Sequence, residues 1–453
     1  MKIIPISFIM AIIFLCTISA WPQDIDESAM FDDTATVTQT PLNNSEAITN
    51  ADEQKAVGFS GEVTSAGMVS FPRDSWDTPR LSAYMVANLL LDARLPGGAK
   101  SFLNTEARYT PASDSAEFYI RELFIDANLN NLAYFRAGKQ VLQWGRCYFW
   151  NPTDLINVER VSFIKKIGYR EGAYGLKMHV PYGTRANLYG FWDVRNADSL
   201  LESSGSIKFE VVASGTEMAI AAWNKKGKKP VLGLDFSSRL LTIDISGEMS
   251  VFRRDNEMVM RENNGVLSLE KGPKEWAPRA ALGLSHAFDF NGIPDRIMVV
   301  AEGYYNGAGN NSRIFEDTTH YRWQGDEQSI AAVSPIPLPD SLTNSLPPIV
   351  LQGVTKLEYF LMNNLYRPNE HAYWYASLFT SFGRFITSSM TLSANAICNI
   401  EESSFVISEA LTYTTLNNFS LGVTLIQNLG PDKTEYTYFS DPLMVQVTAG
   451  IVF

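Results

Sequence analysis

The sequence predicts an all-β chain, a transmembrane antiparallel up-and-down β-barrel of about 18 strands, with roughly 16 as the other count. Three observations lead there. From about residue 58 onward, stretches of roughly 9–14 residues alternate apolar and polar side chains. The connections between those stretches are alternately short and long. The chain ends on a strand-like segment whose last residue is the aromatic Phe453.

The alternation is clearest from Leu241 to Val251. Leu241, Ile243, Ile245, Met249 and Val251 fall on one face of a strand, and Thr242, Asp244, Ser246, Glu248 and Ser250 on the other. Residues 386–396 repeat the arrangement, with Ile386, Met390, Leu392, Ala394 and Ala396 opposite Thr387, Ser389, Thr391, Ser393 and Asn395. Lys208 and Glu210 oppose Ile207, Phe209 and Val211, while Asn104, Glu106 and Arg108 oppose Leu103, Thr105 and Ala107. Charges on the polar face are too frequent for a dry core. A soluble sandwich also alternates, but with its apolar face buried; a membrane barrel turns that face to lipid and lines water with the other.

Loop lengths separate the two. Short connections are expected at 95–100, 128–131, 181–184, 213–216, 237–240, 289–295, 382–384 and 414–418. Longer ones are expected at about 70–80, 110–116, 145–170, 195–205, 224–230, 253–278, 306–368, 400–403 and 429–441, and residues 350–368 leave room for a short helix or a strand pair. Short turns on the periplasmic side and long external loops are the pattern of an outer-membrane barrel, with both termini on the short-turn side.

In the last strand Val445, Val447, Ala449, Ile451 and Phe453 share one face. A final strand ending on an aromatic resembles the signal that such barrels present to their insertion machinery. Closure of this strand onto the first one, near Gly58 to Ser70, would remove both sheet edges.

The segments before the barrel are of another kind. Residues 1–20 read as a signal peptide: Lys2, an apolar run from Ile3 to Ile18, then Ser19 and Ala20 at the expected cleavage point. Cys16 follows the bulky Phe14 and Leu15, which argues against a lipoprotein anchor. Residues 21–57 hold Asp24, Asp26, Glu27, Asp32, Asp33, Glu46, Asp52 and Glu53 against Lys55 alone, so more than half of the excess of 49 acids over 37 bases belongs to this segment. It reads as a disordered acidic periplasmic segment, leaving 58–453 for the barrel. No later apolar run approaches the ~20 residues of a spanning helix. After cleavage only Cys147 and Cys398 remain, enough for one optional bridge but not for a disulfide framework. Nothing resembles a basic nucleic-acid surface.

The most distinctive motif is Gly138-Lys139-Gln140, Trp144-Gly145, and Asn151-Pro152-x-Asp154, preceded by Arg121 to Asp126. The spacing G-[RK]-Q-x3-W-G-x5-N-P-x-D resembles uncharacterised porin-like outer-membrane barrels and is similar to alginate-export barrels. The resemblance covers roughly residues 116–195 and implies the barrel more than any substrate; Lys139 replaces the usual arginine and loses a bidentate guanidinium. Gly138 and Gly145 permit a bulge or a close backbone approach. Arg136 and Gln140 share a face that brings them toward Glu122 and Asp126. Trp144 is expected at the membrane rim, and Asn151-Pro152 is expected to turn the chain back.

These readings converge on a water-filled channel lined by Asp92, Arg94, Glu106, Arg108, Glu122, Asp126, Arg136, Gln140, Lys208, Glu210, Asp244 and Glu248. The 145–170 connection carries Arg146, Asp154, Glu159, Arg160, Lys165, Lys166 and Arg170. It either folds inward as a constriction or stands above the barrel as a lid. Lys225, Lys226, Lys228 and Lys229 crowd one loop, and the 306–368 loop carries Pro335, Pro337, Pro339, Pro347 and Pro348. Catalysis has little to build on: His179, His286, His320 and His371 are scattered, and no zinc spacing or nucleophile elbow is present. The expected function is porin-like diffusion of small polar or charged solutes across a bacterial, Gram-negative outer membrane. No cofactor or metal is expected, outer-membrane lipid is the surrounding partner, and a monomer is favoured over a trimer. The rivals are a plugged barrel whose loops bind polysaccharide or host partners, and an exporter of a charged polymer.

Overall fold

The computed structural model describes residues 57–94, 99–142, 144–156, 172–195, 197, 199–310, 313–324, 350–415 and 418–453. The signal peptide and nearly all of the acidic segment expected from the sequence lie outside these residues. The strands, in order, are β1 Val57–Phe71, β2 Arg80–Arg94, β3 Lys100–Thr110, β4 Ser115–Leu129, β5 Ala133–Gln140, β6 Ala173–Tyr182, β7 Ala186–Asp193 and β8 Ser204–Ala213. They continue with β9 Thr216–Lys225, β10 Val231–Leu240, β11 Ile243–Arg253, β12 Met258–Asn263, β13 Val266–Lys271, β14 Trp276–Phe290 and β15 Ile293–Asn306. The last are β16 Tyr321–Gln324, β17 Val350–Val354, β18 Trp374–Gly383, β19 Met390–Asn399, β20 Ser404–Thr414, β21 Phe419–Leu429 and β22 Leu443–Val452. Two short helices, α1 Lys356–Met362 and α2 Glu435–Tyr438, lie in the longer connections.

All but β12, β13, β16 and β17 join in one 18-stranded sheet. Consecutive strands pair antiparallel, and β22 pairs back onto β1, from Glu62 opposite Val452 to Phe71 opposite Leu443, so the sheet closes without an edge. The N–H groups of Gly61 and Phe453 donate to each other's carbonyls at 2.8 and 2.9 Å, which fastens the terminal residue into the seam.

Short turns occupy one end of the barrel and longer connections the other. Ser214-Gly215 (φ 52° and 74°) and Asn291-Gly292 (φ 51° and 70°) place two consecutive residues in the left-handed region, the turn whose twist suits a two-residue hairpin. Two strand boundaries differ from expectation. Ser237–Leu240 continue β10 rather than turning, since Leu240 pairs with Ile243, and the turn falls on Leu241 (φ 59°) and Thr242. Likewise Ile386 lies in the connection between β18 and β19, and β19 begins at Met390. In both places the period-two pattern runs through a turn, so alternation alone does not locate the reversal. Residues 350–368 contain β17 and also α1, which Thr355 and Glu358 cap reciprocally.

Side chains sort by face as a membrane barrel requires. Leu81, Phe118, Ile125, Ile220, Leu234, Leu282 and Val447 point outward and are each more than half exposed, whereas Glu106, Lys208, Asp235, Glu248 and Glu302 point inward and are nearly buried. One register shift repairs a break in the pattern. Asn104 pairs with Glu122 and Thr105 with Ile120, so Arg121 is the extra residue of a bulge, and the outward set changes from Phe118 and Ile120 to Leu123 and Ile125.

The smaller sheet, β12-β13-β16-β17, belongs to the connections β11–β14 and β15–β18. Leu267, Trp323 and Tyr359 form its core with α1. The Lys356 ammonium joins it electrostatically, 2.9 Å from Glu262 and 3.1 Å from Asp317.

Candidate functional site

After Gln140 the chain leaves β5 and runs along the inner face of the wall rather than standing above it. Its course is fixed by carboxylates projecting from the strands it crosses. The Trp144 carbonyl accepts a hydrogen bond from the Lys208 ammonium of β8 at 2.6 Å. The Arg146 guanidinium reaches Glu210 of β8 (2.6 Å), Glu217 of β9 and Asp235 of β10 (2.5 Å). Glu248 of β11 accepts from the N–H groups of Arg146, Cys147 (2.7 Å) and Thr153 (3.0 Å), and from the Thr153 hydroxyl (2.7 Å). Glu302 of β15 accepts from three consecutive N–H groups, those of Tyr148 (2.8 Å), Phe149 (3.1 Å) and Trp150 (2.6 Å).

Backbone N–H groups outside regular structure need acceptors once water is excluded. Here the wall supplies charged ones, which make the stronger hydrogen bonds. The inserted segment then packs. Phe149 and Trp150 are buried with Tyr304, Tyr375, Ala372 and Tyr436, and the Trp150 indole stacks on Tyr304 at 5.4 Å with its N–H on the Asn369 carbonyl at 2.9 Å. The return limb carries Asn151 and Pro152 into a turn, in which the Asp154 N–H donates to the Asn151 carbonyl at 3.0 Å. Ile156 ends in a second cluster with Leu142, Trp144, Ala173, Phe191 and Ala221.

Trp144 is thus not a rim residue. It is buried in this second cluster inside the barrel, because the chain turns inward immediately after β5 and carries the indole away from the headgroups. Gly138 and Gly145 serve close approach rather than a bulge. A Cβ on Gly138 (φ 130°) would stand 2.2 Å from the Leu123 carbonyl oxygen, and one on Gly145 would meet the Asn151 side chain.

On the facing wall, Asp92 lies 3.1 Å from Lys100 and 3.4 Å from Arg94, which sits at the short-turn end. Glu106 pairs with Arg121 at 2.5 Å and stands 3.8 Å from Arg108. Asp126 takes a two-pronged bond from Arg136 at 2.7 and 3.0 Å, and the same guanidinium lies 3.9 Å from the Phe124 ring centroid. Gln140 departs from expectation: its amide donates to the carbonyls of Arg136 and Gly175, while Glu122 accepts from the Val141 N–H at 3.0 Å. These two residues anchor the exit of β5 and do not meet each other. Asp244 pairs with Arg239 at 2.6 Å beside the Leu241-Thr242 turn. Asp154 is buried on the inserted segment; Glu159, Arg160, Lys165, Lys166 and Arg170 lie outside the described residues.

Sequence reasoning missed Glu217, Asp235 and Glu302 on the far wall, and Arg121 and Lys100 on the near one. Glu217, Asp235 and Glu302 are charged residues on the polar face of alternating stretches, so their signal was present, whereas Arg121 is the bulge residue that breaks the alternation and Lys100 fell in the connection expected at 95–100. It missed a second insertion too. The Glu435 carboxylate of α2 accepts from the Asn369 N–H (2.7 Å), the Tyr375 hydroxyl (2.7 Å) and the Asn399 amide (2.8 Å), binding the connections before β18 and β22 together. Burial raises its pKa, and burial raises that of Glu402, whose carboxylate accepts from the Glu435 N–H, to about 7. His371, ringed by Phe315, Phe360 and Tyr366, is held down to about 4 by burial. Cys147 and Cys398 are free thiols, so the optional bridge is not formed. No group of metal-ligating side chains is assembled among the described residues.

No family model matches the chain, and no curated protein is similar to it in sequence. Solved structures do resemble it. OccAB3 of Acinetobacter baumannii superposes with a TM-score of 0.50 at 9% identity, covering 88% of this chain and 99% of that one. OccK2 (OpdF) of Pseudomonas aeruginosa, solved in complex with glucuronate, gives 0.49 at 8% identity over 88% and 98% of the two chains. OccK10 (OpdN) of the same organism gives 0.48 at 10% identity over 88% and 99%. At these identities the likeness concerns architecture, and on it the chain is a closed 18-stranded antiparallel β-barrel similar in fold to OccAB3.

Proposed function

We propose that this chain is an outer-membrane channel through which small polar or charged solutes diffuse, narrowed by the segment 141–156. One observation carries the reading most directly. The inserted segment lies flat against the β8–β15 wall, while across from it Asp92, Lys100, Arg108 and Asp126 keep 28%, 23%, 36% and 26% of their side-chain surface accessible. Charged groups that are neither buried nor on the lipid face line water.

The charges are also unevenly placed. Strands β18 to β22 and β1 contain no Lys or Arg and hold Glu62 and Glu409, whereas β2 to β6 carry Arg80, Arg94, Lys100, Arg108, Arg121, Arg136, Lys139 and Lys177 against Asp92, Glu106, Glu117, Glu122 and Asp126. A field directed across the lumen orients a charged or dipolar solute without binding it tightly, which passage requires. Asp92, Arg94, Glu106, Arg108, Glu122, Asp126, Arg136, Gln140, Lys208, Glu210, Asp244 and Glu248 line or support this path, and no cofactor or catalytic group takes part. The motif around Gly138 and Trp144 supports membership among porin-like barrels. The long-loop end faces outside, residues 1–20 direct export, and the chain works as a monomer.

The plugged surface barrel is the second reading, favoured by the aromatic core that the inserted connections build inside the wall. Single-channel recording in a planar bilayer separates the two. Steady conductance steps, with a reversal potential in a salt gradient that shifts when Arg136 or Arg160 is neutralised, support the channel. Silence from folded, inserted protein overturns it.

A further inference from the structure

On the long-loop end, the connection from β9 to β10 is the five-residue tip 226–230, and Lys226, Lys228 and Lys229 on it are exposed. Neighbouring connections are longer, so this tip stays low on the rim. It is also held in place. The Lys229 N–H donates to Asn256 Oδ1 at 2.7 Å, Asn256 Nδ2 donates to the Lys229 carbonyl at 2.8 Å, and the Lys228 ammonium donates to the Asn256 carbonyl. This lock brings the tip beside Asn256, where Lys229 is near enough to Asp255 to help Arg253 hold its carboxyl below the usual carboxylate range. The carboxylates nearby are already engaged, Asp255 by Arg253 at 3.0 Å and Glu275 by Arg254 at 2.7 Å. Among the described residues no carboxylate lies within ion-pair distance of Lys226, Lys228 or Lys229, and the patch is net positive.

Its depth follows from the strands below it. Leu232 and Leu234 of β10 and Ile220 of β9 are exposed on the outward face, and Trp276 at the top of β14 points the same way, 51% exposed, with the Arg253 guanidinium 5.8 Å from its ring centroid. Indoles in that position mark the membrane interface. Lys229 stands three residues beyond Leu232, about 10 Å along extended backbone. The headgroup layer adds roughly 5–8 Å to each face of the hydrocarbon core, and a lysine stem spans the difference.

We infer that Lys226, Lys228 and Lys229, on a tip that Lys228 and Lys229 lock to Asn256, bind the phosphate groups of an anionic glycolipid in the outer leaflet. The inference rests on the membrane-barrel reading above. It supplies a role for the lysine loop that the channel itself does not use.

The test uses the full barrel reconstituted into phosphatidylcholine vesicles doped with diphosphorylated lipid A or with dephosphorylated lipid A. Insertion is checked by flotation and by the mobility shift of the unheated barrel on gels; failure to insert overturns the membrane reading and this inference together. Lipid retained after detergent extraction is then counted by native mass spectrometry. The expected result is retention of diphosphorylated lipid A only, undiminished by inorganic pyrophosphate, with the K226Q/K228Q/K229Q variant retaining less by roughly tenfold or more. A smaller drop in an inserted variant overturns the inference, as does equal retention of the dephosphorylated lipid. Displacement by pyrophosphate overturns the membrane source in favour of a soluble phosphate ligand.

Discussion

Replacing Glu302 by alanine removes the acceptor for three consecutive N–H groups of the inserted segment, those of Tyr148, Phe149 and Trp150. A hydrogen bond to a charged group contributes about 1.5–3 kcal/mol, and a buried donor left unpaired costs about 1–3 kcal/mol. Three such bonds therefore set an upper range near 5–9 kcal/mol, which water entering from the lumen lowers to roughly 3–5 kcal/mol. The barrel wall does not depend on them, because the β14–β15 and β15–β18 ladders are backbone pairings. E302A is thus expected to insert and to keep its gel mobility shift while the segment detaches from β15. Single-channel records should show larger, noisier steps than the wild type, and protease added to the bilayer should cut between residues 144 and 154 only in the variant. Glu302→Gln tests the cause: its amide keeps one acceptor oxygen and turns an NH2 toward the remaining donors, so it should fall between wild type and alanine. E302A with wild-type conductance, noise and protease resistance would refute the argument that the wall carboxylates hold the inserted segment in place.

Three further outcomes follow from the same geometry. R146Q leaves Glu210, Glu217 and Asp235 with Lys208 as their remaining cation, so the reversal potential in a salt gradient should move toward cation selectivity; a shift toward anions contradicts the assignment. G138A puts a Cβ 2.2 Å from the Leu123 carbonyl oxygen of β4 at a positive φ, and refolding yield in lipid should collapse, whereas G67A, where nothing lies nearby, should refold normally. For His371 the folded pKa is depressed from 6.5 to about 4 by burial. The unfolded connection binds the proton first, so stability is lost as pH falls from about 6.5 to about 4, by up to about 3 kcal/mol. Glu402, raised to about 7, acts in the opposite sense, losing stability as pH rises from 4.5 to about 7. Hydrogen exchange of residues 366–373 should therefore quicken on acidification more in E402Q than in wild type and least in H371F.

The barrel was legible in the sequence because its physics is local. Each strand must present apolar atoms to lipid and polar atoms to water, and that demand writes a period of two into 18 separate stretches; hairpin geometry then adds Asn-Gly and Ser-Gly at the short turns. Alternation fails where geometry absorbs an extra residue. The adjacent charges Arg121 and Glu122 mark the bulge, while Leu241 and Ile386 continue the pattern through turns that only pairing reveals. The polar faces of β3, β4, β8 and β11 were readable in the same way, and the structure turns Glu106, Asp126, Lys208 and Glu248 inward.

What the inner wall does with its charges was decided by tertiary structure. Arg146 is separated from Glu210, Glu217 and Asp235 by 64, 71 and 89 residues, and Trp150 from Glu302 by 152. Their meeting depends on which way a connection folds after β5. The motif fixed where the chain leaves the wall but not whether it enters the lumen or rises above it, since both courses expose the same residues to the same solvent until the carboxylates and aromatic rings of distant strands are in place. Strand period, turn chemistry and face are properties of neighbouring residues and can be read in one dimension. The seating of residues 144–156 against the wall is a set of contacts between residues far apart in the chain, and only the closed barrel brings them together.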